Sequence, residues 1–209
     1  MSTSRTIVAL LLLFVAQSAW AQAPAKPAPA QAPAPKPAPK EPDFKVGVDG
    51  LIVEDFTARM KAYAALRKSL EEGLPKLEVT ANHSEIRRAE EALARRIRLA
   101  REGARQGSIF TPAINKAFKQ LLASVVTKGM CEAIFDDGPE ADSVNYRTNR
   151  SYPRDEPLST VPPSILGTLP ALPDDVQYRF LRRSLILYDT RPNLILDRIP
   201  SAISCPGQR

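Results

Sequence analysis

The sequence predicts an α+β domain, in which a small antiparallel bundle of three helices is followed by a short antiparallel β-meander of three or four strands. Between residues 46 and 127, apolar side chains recur every three or four positions, the period of an amphipathic helix. After Cys131 the chain becomes rich in proline, aspartate, serine and asparagine, and it ends in short apolar runs separated by turn residues. Helices joined by short turns favour a bundle, which the strands would cover.

The first helix is predicted over residues 54 to 72. Its apolar stripe consists of Phe56, Met60, Tyr63, Leu66 and Leu70. Gly73 and Pro75 follow directly, and neither residue favours continuation of a helix.

The next two helices are marked by their first residues. Asn82 is a cap residue, and Glu85 three positions later completes a capping box. The stripe of this second helix consists of Ile86, Ala89, Leu93, Ile97, Ala100 and Ala104. Thr111 followed by Pro112 begins the third helix, which is expected to reach Gly129. Its stripe consists of Ile114, Phe118, Leu121, Leu122 and Val125.

Three strands are predicted near the C-terminus. Residues 176 to 180 alternate between apolar and polar side chains, as a half-buried strand does. Residues 185–188 and 194–199 are nearly all-apolar runs, typical of central strands. Arg182 and Arg183 lie in the tight connection between the first two strands.

The chain divides into a helical region, residues 44 to 130, and a loop-rich β module packed on it, residues 131 to 209. Within the loop-rich part, a fourth strand is a candidate at residues 144–147. One helical turn is expected to start near Pro162-Pro163.

The N-terminus is predicted to be a secretory signal peptide, residues 1 to 21. Arg5 precedes the apolar run Ile7 to Val15 and a small-residue pattern that places cleavage near Ala21. The run is about half as long as a membrane-spanning helix. Residues 22 to 43 are rich in proline and alanine and are expected to be an extended, disordered linker. We therefore expect an exported protein, periplasmic or extracellular, without a transmembrane helix in its mature chain.

Cys131 and Cys205 both lie in the part expected to be exported, where oxidation is permitted. A structural disulfide is the favoured interpretation, and two free thiols are the alternative. The spacing is not that of a redox-active Cys-x-x-Cys pair.

Residue types that bind transition metals are scarce. His83 is the one histidine of the chain, and its place beside Asn82 favours a helix-start role. The acidic residues between Asp136 and Asp142 do not have the spacing of an EF-hand loop and indicate a solvated loop. No metal site, cofactor or catalytic residue is predicted from these patterns.

Positive charge concentrates in the helical region. The net charge is +6, and residues 45–129 hold 16 basic and 10 acidic side chains, against 9 and 11 in residues 130–209. The candidate anion-binding residues are Arg88, Arg95, Arg98, Arg101 and Arg105. Guanidinium groups bind phosphate and carboxylate, so an anionic polymer or lipid surface is a candidate partner. The alternative is a solvated helix face on which Glu91 pairs with Arg95. Nucleic acid is not expected, because the chain is predicted to be exported.

Asp189 and Asp197 are the candidate pair for a carboxylate-dependent hydrolase, because both end strand-like runs. Turn-forming aspartates are the alternative. A hydrolase requires both carboxylates to line one concave pocket, whereas turn residues would lie on separate exposed turns.

Several sequence segments carry a resemblance to known proteins. They are QGSIFTPAI (106–114), PLSTVPPSIL (157–166), LPALP (169–173), YRF (178–180), LILYD (185–189) and NLILD (193–197). In these segments the chain resembles a group of exported bacterial proteins of unassigned function. The resemblance implies a helical region followed by a proline-punctuated strand module, and it assigns no site residue.

These patterns predict a non-catalytic binding or scaffold module of the cell envelope. Its partner would be another envelope protein or an anionic envelope component. Anion binding through the second helix and a carboxylate-dependent hydrolase are the alternatives.

Overall fold

The computed structural model describes residues 49–75, 80–139 and 146–205. The predicted signal peptide (1–21), the predicted linker (22–43) and the first half of the candidate strand at 144–147 lie outside the described residues.

Five helices are present in the described part of the chain. They are α1 (Gly50–Glu72), α2 (His83–Ala100), α3 (Pro112–Val125), α4 (Lys128–Asp136) and the single turn α5 (Pro163–Leu166). Side chains of Asn82 and Thr111 accept backbone N–H groups at the starts of α2 and α3, as their sequence predicted. Asn82 also donates to the Glu85 carboxylate at 2.9 Å.

The predicted end of the third helix is wrong. Helix α3 ends at Val125, Val126 is extended, and the new helix α4 begins after Thr127. The Thr127 hydroxyl accepts the N–H of Met130 at 3.3 Å and so caps this second start. Helix α4 therefore occupies residues that the sequence assigned partly to a loop.

The strands form one antiparallel sheet, which confirms the α+β class. They are β1 (Arg150–Ser151), β2 (Val176–Leu181), β3 (Ser184–Asp189) and β4 (Leu194–Ile199), in the spatial order β1-β4-β3-β2. Arg182 and Arg183 form the tight β2–β3 turn, and Arg182 has a φ of 52°. Strand β4 has the predicted bounds.

The fourth strand of the described chain is β1, which lies after the candidate residues 144–147, of which 144 and 145 are not described. Residues 146 and 147 are outside any strand, and β1 pairs Arg150 and Ser151 with the start of β4. Asn149, with a φ of 64°, turns the chain into β1. Its side-chain amide donates to the carbonyl oxygens of Arg98 and Arg101, which joins this turn to the end of α2.

Both faces of the sheet are covered. The main hydrophobic core lies between the sheet and the helices and contains Phe56, Phe110, Phe118, Phe180, Leu187 and Leu196. A second apolar cluster includes strand residues that alternate with those of the main core. It contains Tyr146, Tyr152, Leu181, Ile186, Tyr188 and Ile195. Strand β2 alternates in burial as expected, whereas nearly every residue of β3 and β4 is buried.

The C-terminal segment is fastened to α4. Cys131 and Cys205 lie at disulfide-bonding distance, with an S–S separation of 2.12 Å, in agreement with the predicted bridge. Among the described residues, no helix combines the length and apolar character needed to cross a bilayer.

Candidate functional site

Asp189 joins the end of β3 to helix α1. Its carboxylate is fully buried and accepts a hydrogen bond of 2.6 Å from the Tyr63 hydroxyl. Arg67 Nη1 donates to both carboxylate oxygens, at 3.0 and 3.1 Å. Burial raises the pKa of the Asp189 carboxyl, and the bonds from Tyr63 and Arg67 oppose that rise. The group therefore serves as the buried acceptor between sheet and helix.

Asp197 joins β4 to the loop between α2 and α3. Its Oδ2 accepts the backbone N–H groups of Ile109 and Phe110 at 2.7 and 2.8 Å, and its Oδ1 accepts that of Gly107 at 3.0 Å. Gly107 has a φ of 90°, a conformation that other residues rarely adopt. One buried carboxylate thus fixes the shape of the loop.

Neither sequence-based interpretation of the two candidate acids, as a catalytic pair in one pocket or as residues of exposed turns, fits the structure. Both Asp189 and Asp197 have 0% exposure, so they lie neither on exposed turns nor on the surface of a cleft. Neither carboxylate lines the two grooves described below. Their hydrogen bonds connect the sheet to α1 and to the α2–α3 loop, which is a structural role.

Two of the five candidate anion-binding arginines contact the sheet. Arg98 Nη1 donates to Ser151 Oγ, and Arg101 Nη2 donates to the Leu196 carbonyl, both at 3.1 Å. The Arg101 guanidinium also lies over the Tyr63 ring, 5.3 Å from its centroid. Burial lowers the pKa of Arg101. These two side chains help to pack α2 and its C-terminal end on β1 and β4.

The other three candidate arginines are exposed. Arg88 and Arg95 are seven positions apart and lie on the face of α2 opposite Leu93 and Ile97, which are buried. Arg105 lies in the loop after α2. The five arginines therefore do not form one continuous surface.

A groove with a different set of cations lies beside the α2–α3 loop. It has a volume of about 620 Å³, and we call it the lysine groove. Its polar lining consists of Gln106, Asn115, Lys116, Lys119 and Gln120, and its remaining lining consists of Gly107, Phe110 and Pro112. No carboxylate of the described residues lines it. Two lysines and three carboxamide residues thus line one groove.

The local sequence explains why these side chains converge. Ile114, Phe118 and Leu121 turn one face of α3 into the core, so Lys116, Lys119 and Gln120 lie on the outer face. Asp197 holds the loop that carries Gln106 against the start of this helix. The sequence predicted the helix but not the groove.

A second groove, of about 500 Å³, lies on the other flank of the same loop, against α1. Arg59 and Arg101 are among its lining residues. Arg59 donates to the Asp55 carboxylate at 2.8 Å and to the Ser108 carbonyl at 3.1 Å. Arg101 Nη2 bonds to the Leu196 carbonyl, whereas its Nη1 is buried without a hydrogen-bond partner among the described residues. Because Arg59 is paired with Asp55, this groove has one cation without an ion pair in the described chain, whereas the lysine groove has two.

The other ligand candidates do not come together. His83 is exposed at the first position of α2. Within the described ranges, no three histidine, cysteine, aspartate or glutamate side chains are grouped as metal ligands. Asp137 accepts a hydrogen bond from Thr160, while Glu140 and Asp142 lie outside the described residues.

Comparison of the chain with protein-family models, curated proteins and solved structures gave no significant match. The resemblance to a group of exported bacterial proteins therefore stays a prediction. The fold and the grooves define an α+β domain with a basic cleft beside its α2–α3 loop.

Proposed function

We propose that this protein is an exported, non-catalytic binding module of the cell envelope that holds an anionic component through the lysine groove. One observation carries this proposal. Lys116 and Lys119 line a space of about 620 Å³ together with three carboxamides and without a carboxylate from the described residues. A concave surface with two like charges attracts anions more strongly than a flat surface does, because the field is focused.

The charge distribution of the chain supports an anionic ligand. The excess of basic side chains lies in residues 45–129, which include the whole groove. Neither Lys116 nor Lys119 has an ion pair within the described part of the chain, in contrast to Arg59 and Arg67. Their charges are thus available to a ligand.

The proposed location rests on the N-terminal sequence. The predicted signal peptide would export the chain, and the predicted proline-rich linker would separate the domain from its N-terminal end. A disulfide between Cys131 and Cys205 suits an oxidising compartment. The partner would then be a component of the envelope or of the cell exterior.

The roles of Asp189 and Asp197 favour binding over hydrolysis. A general acid and base must reach the substrate, whereas these carboxylates are fully buried and bonded to groups of the protein. The hydrolase alternative would therefore need other residues.

The proposal predicts that loss of the two lysines weakens polyanion binding. The purified exported protein should be retained on immobilised heparin and on immobilised polyphosphate, and salt should elute it by screening the charges. The double substitution Lys116→Gln and Lys119→Gln should lower the eluting salt concentration clearly on both supports.

The matched control is Lys61→Gln with Lys68→Gln, which removes two exposed charges from α1 outside the groove. An equal loss in this control would show that net charge alone, and not the groove, governs retention. If instead Arg88→Gln with Arg95→Gln abolishes retention, the outer face of α2 is the binding surface. No retention of the unaltered protein on either support contradicts the proposed function.

A further inference from the structure

We infer that the ligand of the lysine groove is an acidic polysaccharide, a polymer that presents both hydroxyl and carboxylate groups. This inference rests on the proposed function, because it names the chemical class of the anionic component. The groove combines two kinds of polar group, and each kind suits one part of such a polymer.

The carboxamides point to hydroxyl groups. Asn and Gln side chains carry both a donor and an acceptor, and a sugar hydroxyl also donates and accepts. Gln106, Asn115 and Gln120 all line the groove, on the loop and on two turns of α3. Polyphosphate offers acceptors only, so the amide nitrogens of Asn115 and Gln120 would find partners in it, whereas their amide oxygens would not.

The orientation of Gln106 is set within the fold. Arg198 Nε donates to Gln106 Oε1 at 3.2 Å, so the amide nitrogen is the end that remains for a ligand acceptor. Asp197, the residue before Arg198, holds the neighbouring Gly107 through its backbone N–H. Binding to a groove whose loop is already fixed costs less ordering entropy than binding to a mobile loop.

The lysines suit a polymer whose charges are spaced along its length. Lys116 and Lys119 are three positions apart on α3, which separates them by about 4.5 Å along the helix axis. The groove lining continues along this helix from Pro112 to Gln120, a length of about 12 Å. An extended chain with charge and hydroxyl groups at intervals matches this row better than a compact anion does.

A lipid surface matches the groove less well. Membrane-surface binding uses exposed apolar side chains beside the basic ones. The exposed large apolar residues of the described chain are Leu51, Leu99 and Leu166, and none of them lines the groove. Phe110, the aromatic residue of the lining, has 1% exposure and cannot insert into a bilayer or stack on a base.

The test compares ligands that separate charge from hydroxyl groups. Binding of the purified exported protein is measured by calorimetry with alginate oligomers, with polyphosphate of matched charge, with neutral dextran and with anionic phospholipid vesicles. We expect alginate to bind most tightly. The variant Asn115→Ala with Gln120→Ala should weaken alginate binding roughly fivefold to tenfold and leave polyphosphate binding unchanged. Both substitutions put a helix-favouring residue on the outer face of α3, so folding should be retained.

Two variants make the outcomes distinct. Lys116→Gln with Lys119→Gln should weaken alginate and polyphosphate alike, roughly tenfold. Gln177→Ala, which removes a carboxamide of β2 outside the groove, should change neither. Polyphosphate, vesicles or dextran binding as tightly as alginate would overturn this inference, as would an amide variant with full alginate affinity. Polyphosphate binding that depends on the lysines would leave the proposed function standing, whereas absence of binding to every anionic ligand would overturn both.

Discussion

Asp189 and Arg67 form an ion pair in which neither partner has much access to water. Asp189 has 0% exposure and Arg67 has 8%, and Arg67 also donates to the Asp174 carbonyl at 2.9 Å. A buried pair of this kind need not stabilise a fold more than apolar residues would, but removal of one charge leaves the other without its partner. The geometry of α1 on the sheet depends on this residue-scale contact.

We therefore predict that Asp189→Asn lowers the free energy of unfolding by about 3 kcal/mol, because the Arg67 guanidinium stays buried and keeps only the more distant, partly exposed Asp175 carboxylate, at 3.6 Å, as an ion partner. Chemical denaturation of the purified protein measures the change. Asp55→Asn, which breaks the exposed pair with Arg59, should cost less than about 1 kcal/mol. Equal effects of the two substitutions would contradict a special role for the buried pair.

At the scale of elements, the α2–α3 loop is the part that brings the candidate site together. It lies between two grooves. Three of its backbone N–H groups donate to the carboxylate of Asp197 in β4, which is distant in sequence. The Arg101 guanidinium at its start bonds to the Leu196 carbonyl, beside Asp197. The loop is therefore fixed to β4 at both ends of its course.

Asp197→Asn is predicted to loosen this loop. The amide that replaces one carboxylate oxygen is itself a donor and cannot accept the N–H groups. Hydrogen exchange at Gly107, Ile109 and Phe110 should accelerate more than exchange in the strands, and ligand affinity of the lysine groove should fall.

The matched control is Asp189→Asn, which lies on β3 and makes no bond to the loop. It should lower global stability without selectively releasing these three amides. Selective release in the Asp189 variant, or uniform acceleration in the Asp197 variant, would mean that Asp197 does not control the loop separately.

At the scale of the whole molecule, the burial of tyrosines makes the stability of the fold depend on pH in the alkaline range. Burial is the largest cause that raises the pKa values of Tyr63, Tyr152, Tyr178 and Tyr188, four of the five tyrosines of the chain. In the unfolded chain these groups ionise near pH 10. Above about pH 10 the folded state therefore retains more protons than the unfolded state. The contribution of the buried tyrosines to stability is complete below that pH and is lost as the pH rises further.

We expect tyrosine ionisation and unfolding to coincide in an alkaline titration. Tyrosinate absorbance and far-ultraviolet circular dichroism should change together above pH 10, with a steeper transition than free tyrosine gives. Four tyrosines that titrate independently near pH 10 while the circular dichroism stays native would contradict the burial argument.

The sequence predicted those elements whose signals are local. The caps at Asn82 and Thr111 and the apolar run of β4 depend on adjacent residues. In the structure α2 and α3 begin at those caps, and β4 has its predicted bounds. The sequence does not predict helix α4, because its cap, Thr127, follows a continuous apolar stripe that favours a longer α3. A cap inside a long helical pattern could have signalled the break.

The candidate site could not be predicted in the same way. Its lysines and carboxamides have the helical spacing of an ordinary solvated face, and the groove exists because Asp197 holds a loop some 90 residues earlier in the chain. The second apolar cluster was likewise hidden, since a covering segment for the outer sheet face depends on contacts distant in sequence. Long-range hydrogen bonds, not local propensity, set both features.

The ends of the sheet have a consequence for self-association. On one side of the sheet, β1 pairs only with Leu194 and Ile195 of β4, and the next carbonyl, that of Leu196, accepts a hydrogen bond from Arg101. On the other side, β2 is bridged at Phe180 by Ser159. Sheets with long free edges recruit further strands and aggregate. The short β1, the Arg101 contact and the bridge at Phe180 occupy some of the main-chain groups that an incoming strand would need. These contacts therefore protect part of each sheet edge against pairing with a strand of another chain.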